Sequence, residues 1–361
     1  MAIRNLWTGN AERWLQRTLM AVFVGALGTS LVVGLAHAQG KTEEKVLNLY
    51  SARHYQTDEA LYEDFTKQSG IKINRIELGD EPLVQRLKSE GANSPADVVL
   101  LVDAARLWRA QQDGLFQPLK SSVLDTRIPA NLRADDGSWY GFSTRARVIV
   151  YNKLSVKPNE VATYESLADP VNKGKVCTRS GSHPYMLSLI GAMVERNGEA
   201  KTEEWARGVV NNMARAPKGG DTDQIRAVAT GECGIALTNT YYFARMMRSK
   251  DAKDREVVER VGFVWPNQAT TGTHVNVSGA AVAKNAPHPQ NARLFLEYLS
   301  SDSAQKYFAA GNNEWPAVKS VKVDNAALAE LGDFKSESVT VSAMGKGQVA
   351  AQRILDKVGY R

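Results

Sequence analysis

Three short stretches set tyrosine beside histidine or beside a helix-capping residue, and each follows an apolar run of strand character. They are Tyr50-Ser51-Ala52-Arg53-His54-Tyr55, Ser180-Gly181-Ser182-His183-Pro184-Tyr185 and Asn239-Thr240-Tyr241-Tyr242. A tyrosine taken alone is by default a packing residue with a hydrogen-bonded hydroxyl. The joint placement is different, because the carboxyl ends of strands in open α/β sheets are where ligands bind. Tyr241 and Tyr242 fall where a helix begins, with Asn239 or Thr240 as its cap. On a strand their rings would point to opposite faces. At a helix start they diverge by only about 100°, so both hydroxyls can converge on one ion. A phenol ionises near pH 10, but a close cation stabilises the phenolate. This hard oxygen donor suits Fe³⁺ better than a soft thiolate does. Several phenolates around Fe³⁺ leave a net negative charge that needs a cation nearby. Arg145 and Arg147, two positions apart and so on one face of a strand, are candidates to supply it; the plain alternative is a solvated surface. His183, beside Pro184, reads as a turn-positioning residue.

The elements that must hold these residues alternate between strand and helix. Val46 to Tyr50 is a buried strand. Thr57-Asp58-Glu59 starts a helix with a capping hydroxyl and acids in its first turn. Leu61 and Phe65 form that helix's buried stripe, and Gly70 stops it. A second strand over 71–78, a helix around 83–88 and an apolar strand over 96–102 complete a βαβαβ pattern, which implies a mostly parallel sheet. Two stretches, 139–151 and 261–284, read as β-rich crossings between lobes. Between them lie strands at 175–178 and 234–237 and a helix from Tyr185 to Arg196. Pro289–Leu299 and Gln348–Val358 are amphipathic helices that return to the first lobe. The expected fold is α/β with two lobes, each a mixed, mostly parallel sheet flanked by helices around a shared cleft. Lobe one takes 39–147 and 269–361, and lobe two, inserted, takes 148–268. Inter-lobe clefts with hinges are favoured ligand sites.

Residues 1–38 have the layout of a cleaved secretory signal: Arg4, Arg13 and Arg17, an uncharged apolar run from Leu19 to Leu35, and Ala36-His37-Ala38. Export to the periplasm follows. The formal net charge is +6 with both signs interspersed, which makes neither a stripe nor a motif for nucleic acid. Cys177 and Cys233, the only two cysteines, are either bridged in an oxidising compartment or two separate buried thiols. There is no G-x-S-x-G, H-E-x-x-H or glycine-rich phosphate loop, so no enzyme is indicated. The chain has no internal repeat.

The Arg53-His54-Tyr55 motif after the first strand, Tyr185 after the second-lobe strand, and the Tyr241-Tyr242 pair resemble the ferric-ion-binding proteins of iron ABC transporters, in particular the tyrosine-rich cyanobacterial-type branch. The likeness runs through the mature chain, including GFSTRARVIVYN and the segment Asn312–Ala317. It implies Tyr55, Tyr185, Tyr241 and Tyr242 as ligands of a transported Fe³⁺, with His54 as a fifth and Arg145 behind them. In related branches the first loop supplies a histidine and a carboxylate; here Tyr55 stands in that loop. The resemblance also implies a type II periplasmic binding protein fold and an ABC permease as partner; a monomer is the default state. The alternative is a binding protein of the same fold for an organic or anionic solute such as a polyamine, a thiamine-like cation or a phosphonate. Trp108, Trp139 and Trp265 would be the stacking residues in that case.

Overall fold

The computed structural model describes residues 44–53 and 55–361. The leader expected over 1–38 and the ligand candidate His54 lie outside the described residues.

Strands β1 (Val46–Ser51), β2 (Lys72–Glu77) and β3 (Val98–Leu101) form the expected βαβαβ unit, paired in parallel with β1 in the middle. Side chains alternate along the pleat. Leu47, Leu49, Val98 and Leu100 enter one core with Phe65 and Phe295, and Tyr50, Val99 and Leu101 enter the core on the other face with Leu107 and Trp139. Covered on both faces, β3 can be the unbroken apolar run Val-Val-Leu-Leu. The helix Asp58–Ser69 buries Leu61, Tyr62 and Phe65, and Gly70 closes it at φ 72°. Its start differs from expectation. Thr57 already has helical dihedrals, whereas a side-chain cap needs an extended residue; its hydroxyl instead meets Asn312 Oδ1.

After the short β4 (Phe116–Gln117), the 13-residue β5 (Tyr140–Asn152) joins two sheets. Its first half, Tyr140 to Ala146, pairs with β9 (Val275–Ala283), which in turn pairs with β3. Its second half, from Arg147, pairs with β7 (Ile235–Asn239) and β8 (Val261–Val264), and β7 pairs with β6 (Val176–Cys177). A final two-residue β10 (Trp315–Pro316) lies on the first half of β5. The chain crosses back between β8 and β9, where Arg147 N donates to His274 O at 3.0 Å.

Each sheet is more mixed than the alternation of elements implied. Among the strand pairs of the described residues, only β1–β2, β1–β3 and β6–β7 are parallel. β5 and β9 enter as crossing strands rather than through helical crossovers, so the rule that makes βαβ units parallel does not govern them.

The helix Pro289–Leu299 lies on the first sheet, where Phe295 and Leu299 join its core. Gln348–Val358, expected there too, packs elsewhere: Ala351, Ile354 and Leu355 share a core with Ile149 of the second sheet and with Met186, Leu189 and Met193 of the helix Pro184–Asn197. Its apolar stripe fits either lobe, and periodicity alone does not choose between them. Glycine backbones decide the path. A Cβ on Gly347 would sit 2.4 Å from Gly191 O, and one on Gly345 would overlap the Trp108 ring. The chain therefore passes tightly between the helix Ala104–Gln112 and the helix Pro184–Asn197, which makes a further connection between the cores of the two sheets. Cys177, ending β6, and Cys233, before β7, are disulfide-bonded with Cα atoms 5.9 Å apart.

Candidate metal centre

β1, β6 and β7 each end at one of the three tyrosine stretches. The helix Pro184–Asn197 is capped by His183, whose Nδ1 accepts from Tyr185 N at 3.2 Å. Burial first, then Arg179 and Arg147, lower the His183 pKa to about 3, so its ring stays neutral and can accept. This is the turn-positioning role read from the sequence, and it fixes where Tyr185 points. The helix Thr240–Met247 starts with Asn239 at its cap position, though the Asn239 side chain accepts from Arg147 at 3.2 Å rather than capping.

The structure brings Tyr185 and Tyr241 together, with their hydroxyl oxygens 3.1 Å apart. The Tyr241 and Tyr242 rings lie side by side, 4.2 Å between centroids. Tyr55, in the loop after β1, is near enough to belong to the same electrostatic cluster: its ionisation would act on Tyr185 and Tyr241, and that of Tyr242 on it. Tyr185 is 8% exposed and Tyr241 2%. Burial is the largest cause pushing the pKa values of Tyr55, Tyr185 and Tyr241 above the usual phenol range, and Arg145 pulls each of them down. Near neutral pH these are protonated phenols. A cation entering here must displace their protons.

The arginines divide the electrostatic work. Arg147 and Arg179 share Asp221, at 2.6 and 3.2 Å, so their charges are largely met. Arg145 is 1% exposed, donates to Ser278 Oγ at 2.8 Å, and forms no ion pair among the described residues. Its guanidinium carbon lies 5.8 Å from the Tyr185 ring centroid. Of the two arginines singled out on β5, Arg145 is therefore the one whose charge remains for the tyrosines.

Arg53 organises the first loop. It bonds Asp58 (2.9 Å), Glu314 (2.8 Å) and Ser278 (3.0 Å), and lies 5.0 Å from the Tyr55 ring centroid. Ser278 thus links the Arg53 and Arg145 guanidinium groups, and Glu314 also accepts from Ser143 at 2.9 Å. Sequence reading singled out neither Arg53 nor Glu314, although both stand inside quoted motifs, next to His54 and within the Asn312–Ala317 segment. Arg179, 5.0 Å from the Tyr185 ring, carried no signal beyond its place in the loop after β6.

No group of three or more His, Cys, Asp and Glu side chains suited to a metal occurs among the described residues. The donors gathered here are phenols, hard oxygens that fit a trivalent ion. The tryptophans considered for stacking an organic ligand are engaged elsewhere. Trp139 is fully buried and donates to Gln111, Trp265 stacks on Phe334, and Trp108 lies against Gly345.

Residues 93–331 match the family model described as bacterial extracellular solute-binding protein. The chain is 47% identical over 349 residues to iron uptake protein A1 of Synechocystis, covering 95% of this chain and 96% of that protein. It is 28% identical over 321 residues to the major ferric iron-binding protein of Neisseria meningitidis, covering 87% and 93%. Among solved structures, a Trichodesmium protein in complex with iron and citrate superposes with a TM-score of 0.84 at 52% identity, over 88% of this chain and all of that one.

Proposed function

Because the chain belongs to the bacterial extracellular solute-binding proteins, we propose that it is a transport receptor that captures ferric ion in the cleft between its sheets and hands it to an ABC permease. Its fold is the two-lobed α/β fold of the periplasmic ferric-binding proteins. The observation that carries the reading is the meeting of Tyr185 and Tyr241 at 3.1 Å beside Tyr242, Tyr55 and Arg145. Tyr55, Tyr185, Tyr241 and Tyr242 are the ligands in this proposal, with His54 as a candidate fifth.

The chemistry follows from the donors. Fe³⁺ displaces the phenol protons, and Arg145 offsets the negative charge of the resulting phenolates. Acid returns those protons, so release is favoured as pH falls. Fe²⁺, carrying less charge, holds the phenolates less well. The first lobe contributes Tyr55 and the second contributes the other three, so closing the hinge completes the shell. We place the lobe boundaries where β5 changes partner, between Ala146 and Arg147, and between β8 and β9, and we assign Gln348–Val358 to the second lobe. Residues 1–38 serve as the export signal to the periplasm, where relatives such as the Serratia marcescens Fe(3+)-binding periplasmic protein are named as residing.

The test is a visible absorption spectrum of the purified protein with stoichiometric Fe³⁺. A phenolate-to-iron band in the parent, weakened or shifted in Tyr241→Phe and Tyr242→Phe, is the expected result. A colourless protein that leaves Fe³⁺ to hydrolyse would reject the ferric reading and favour an organic or anionic solute.

A further inference from the structure

Asp103 is fully buried at the end of β3, where it caps the helix Ala104–Gln112 by accepting from Ala105 N at 2.9 Å. Asn276 of β9 donates to its Oδ2 at 2.7 Å. That amide is itself fixed, because Asn276 Oδ1 accepts from Ala104 N and Val277 N at 2.9 and 2.8 Å. The carboxylate is thus aimed by the first sheet alone. Its remaining partner comes from the helix Pro184–Asn197, which packs with the second sheet: Ser188 Oγ donates to Oδ1 at 2.9 Å and lies 3.1 Å from Oδ2. Ser188 is itself fully buried. It sits one turn after Tyr185 on the helix Pro184–Asn197.

We propose that Ser188 and Asp103 form a clasp that holds the Tyr185 helix against the first sheet and sets how long the closed, iron-holding form lasts. The proposal rests on the ferric reading above. Ser188 is a positioning residue, one turn from the phenol and without contact to the ion. A hydroxyl-to-carboxylate bond in a dry junction is one of the stronger hydrogen bonds available to a neutral side chain. Asp103 keeps Ala105 N and Asn276 when the hydroxyl is absent, so the chain still folds without Ser188, at the cost of one buried bond. Iron retention does, because Tyr185 moves with its helix.

The experiment follows the decay of the iron–phenolate band after adding excess EDTA to the iron-loaded protein, for the parent, Ser188→Ala and Ser188→Thr. The expected result has three parts. The band position is unchanged in both variants. Ser188→Ala loses iron about tenfold faster, as the loss of one charge-assisted bond implies. Ser188→Thr, which keeps a hydroxyl, stays within about twofold of the parent. Thermal unfolding of the metal-free Ser188→Ala protein should stay cooperative with a midpoint lowered by only a few degrees, about what one lost hydrogen bond implies; a larger drop would mean a general loss of packing. Decay at the parental rate in Ser188→Ala would overturn the proposal. So would equally fast decay in both variants, since packing and not the hydroxyl would then be responsible. A colourless parent would overturn the ferric reading itself, and that result appears before any variant is compared.

Discussion

At the scale of single residues, the proposed site sets protons and a cation in competition for buried phenols. Burial raises the pKa values of Tyr55, Tyr185 and Tyr241, and Arg145 works against that rise at each one. The sign of the pH dependence follows. Raised phenol pKa values mean that protons bind more tightly, so iron is lost at a higher pH than it would be without burial. Arg145 moves that midpoint back down. Arg145→Gln should therefore shift the midpoint of acid-induced iron release to higher pH by about one unit, the size expected for losing a neighbouring cation. Band absorbance followed through a pH titration reads it directly, and an unchanged midpoint would remove Arg145 from the electrostatics of the site. His183 does not contribute to this titration near neutrality, since burial and its arginine neighbours hold its pKa at about 3. That the tyrosines would gather was legible in the sequence, because adjacency and position after strands are properties of the chain. The division between Arg145 and Arg147 was not. Both share a face, and only the placement of Asp221, 74 residues from Arg147, decides which charge is already met.

Among the elements, loops after strands deliver the phenols, and buried polar pairs fix those loops. Arg53 shows how much hangs on one such residue. It is 1% exposed and ties Asp58 at the start of a helix to Glu314 at the approach to β10. Arg53→Met would leave two buried carboxylates without their cation, a change that costs about 3–5 kcal/mol in comparable sites. Chemical denaturation of the metal-free variant checks this, and a loss below about 1 kcal/mol would mean the loop is held by other contacts. Most elements were visible in advance because hydrophobic period and glycine stops are local. Pro289–Leu299 and Gln348–Val358 have the bounds expected of them. The partner of Gln348–Val358 was not visible. An apolar stripe of Ala351, Ile354 and Leu355 fits any complementary face, and the choice is made by the close backbone approach of Gly347 to Gly191.

For the whole molecule, the two sheets meet along β5, and the phenols come from both sides of that junction. β5 carries the arrangement: its first half belongs with β9, its second half with β7, and Arg145 lies just before the change of partner. The alternation of strands and helices made the two-lobed class legible, whereas the antiparallel entry of β5 and β9 was not, because pairing direction depends on contacts far apart in sequence. Under the proposed function, a shell drawn from both lobes would enclose a small ion when the hinge closes. The claim that most needs testing is that one ferric ion sits among Tyr55, Tyr185, Tyr241 and Tyr242. A crystal structure of the iron-loaded protein with an anomalous difference map at the iron edge tests it most directly. A single strong peak within bonding distance of all four phenol oxygens is the predicted result. A peak elsewhere, or one bonded to the second-lobe tyrosines but not to Tyr55, would contradict the account of a shell completed across the cleft.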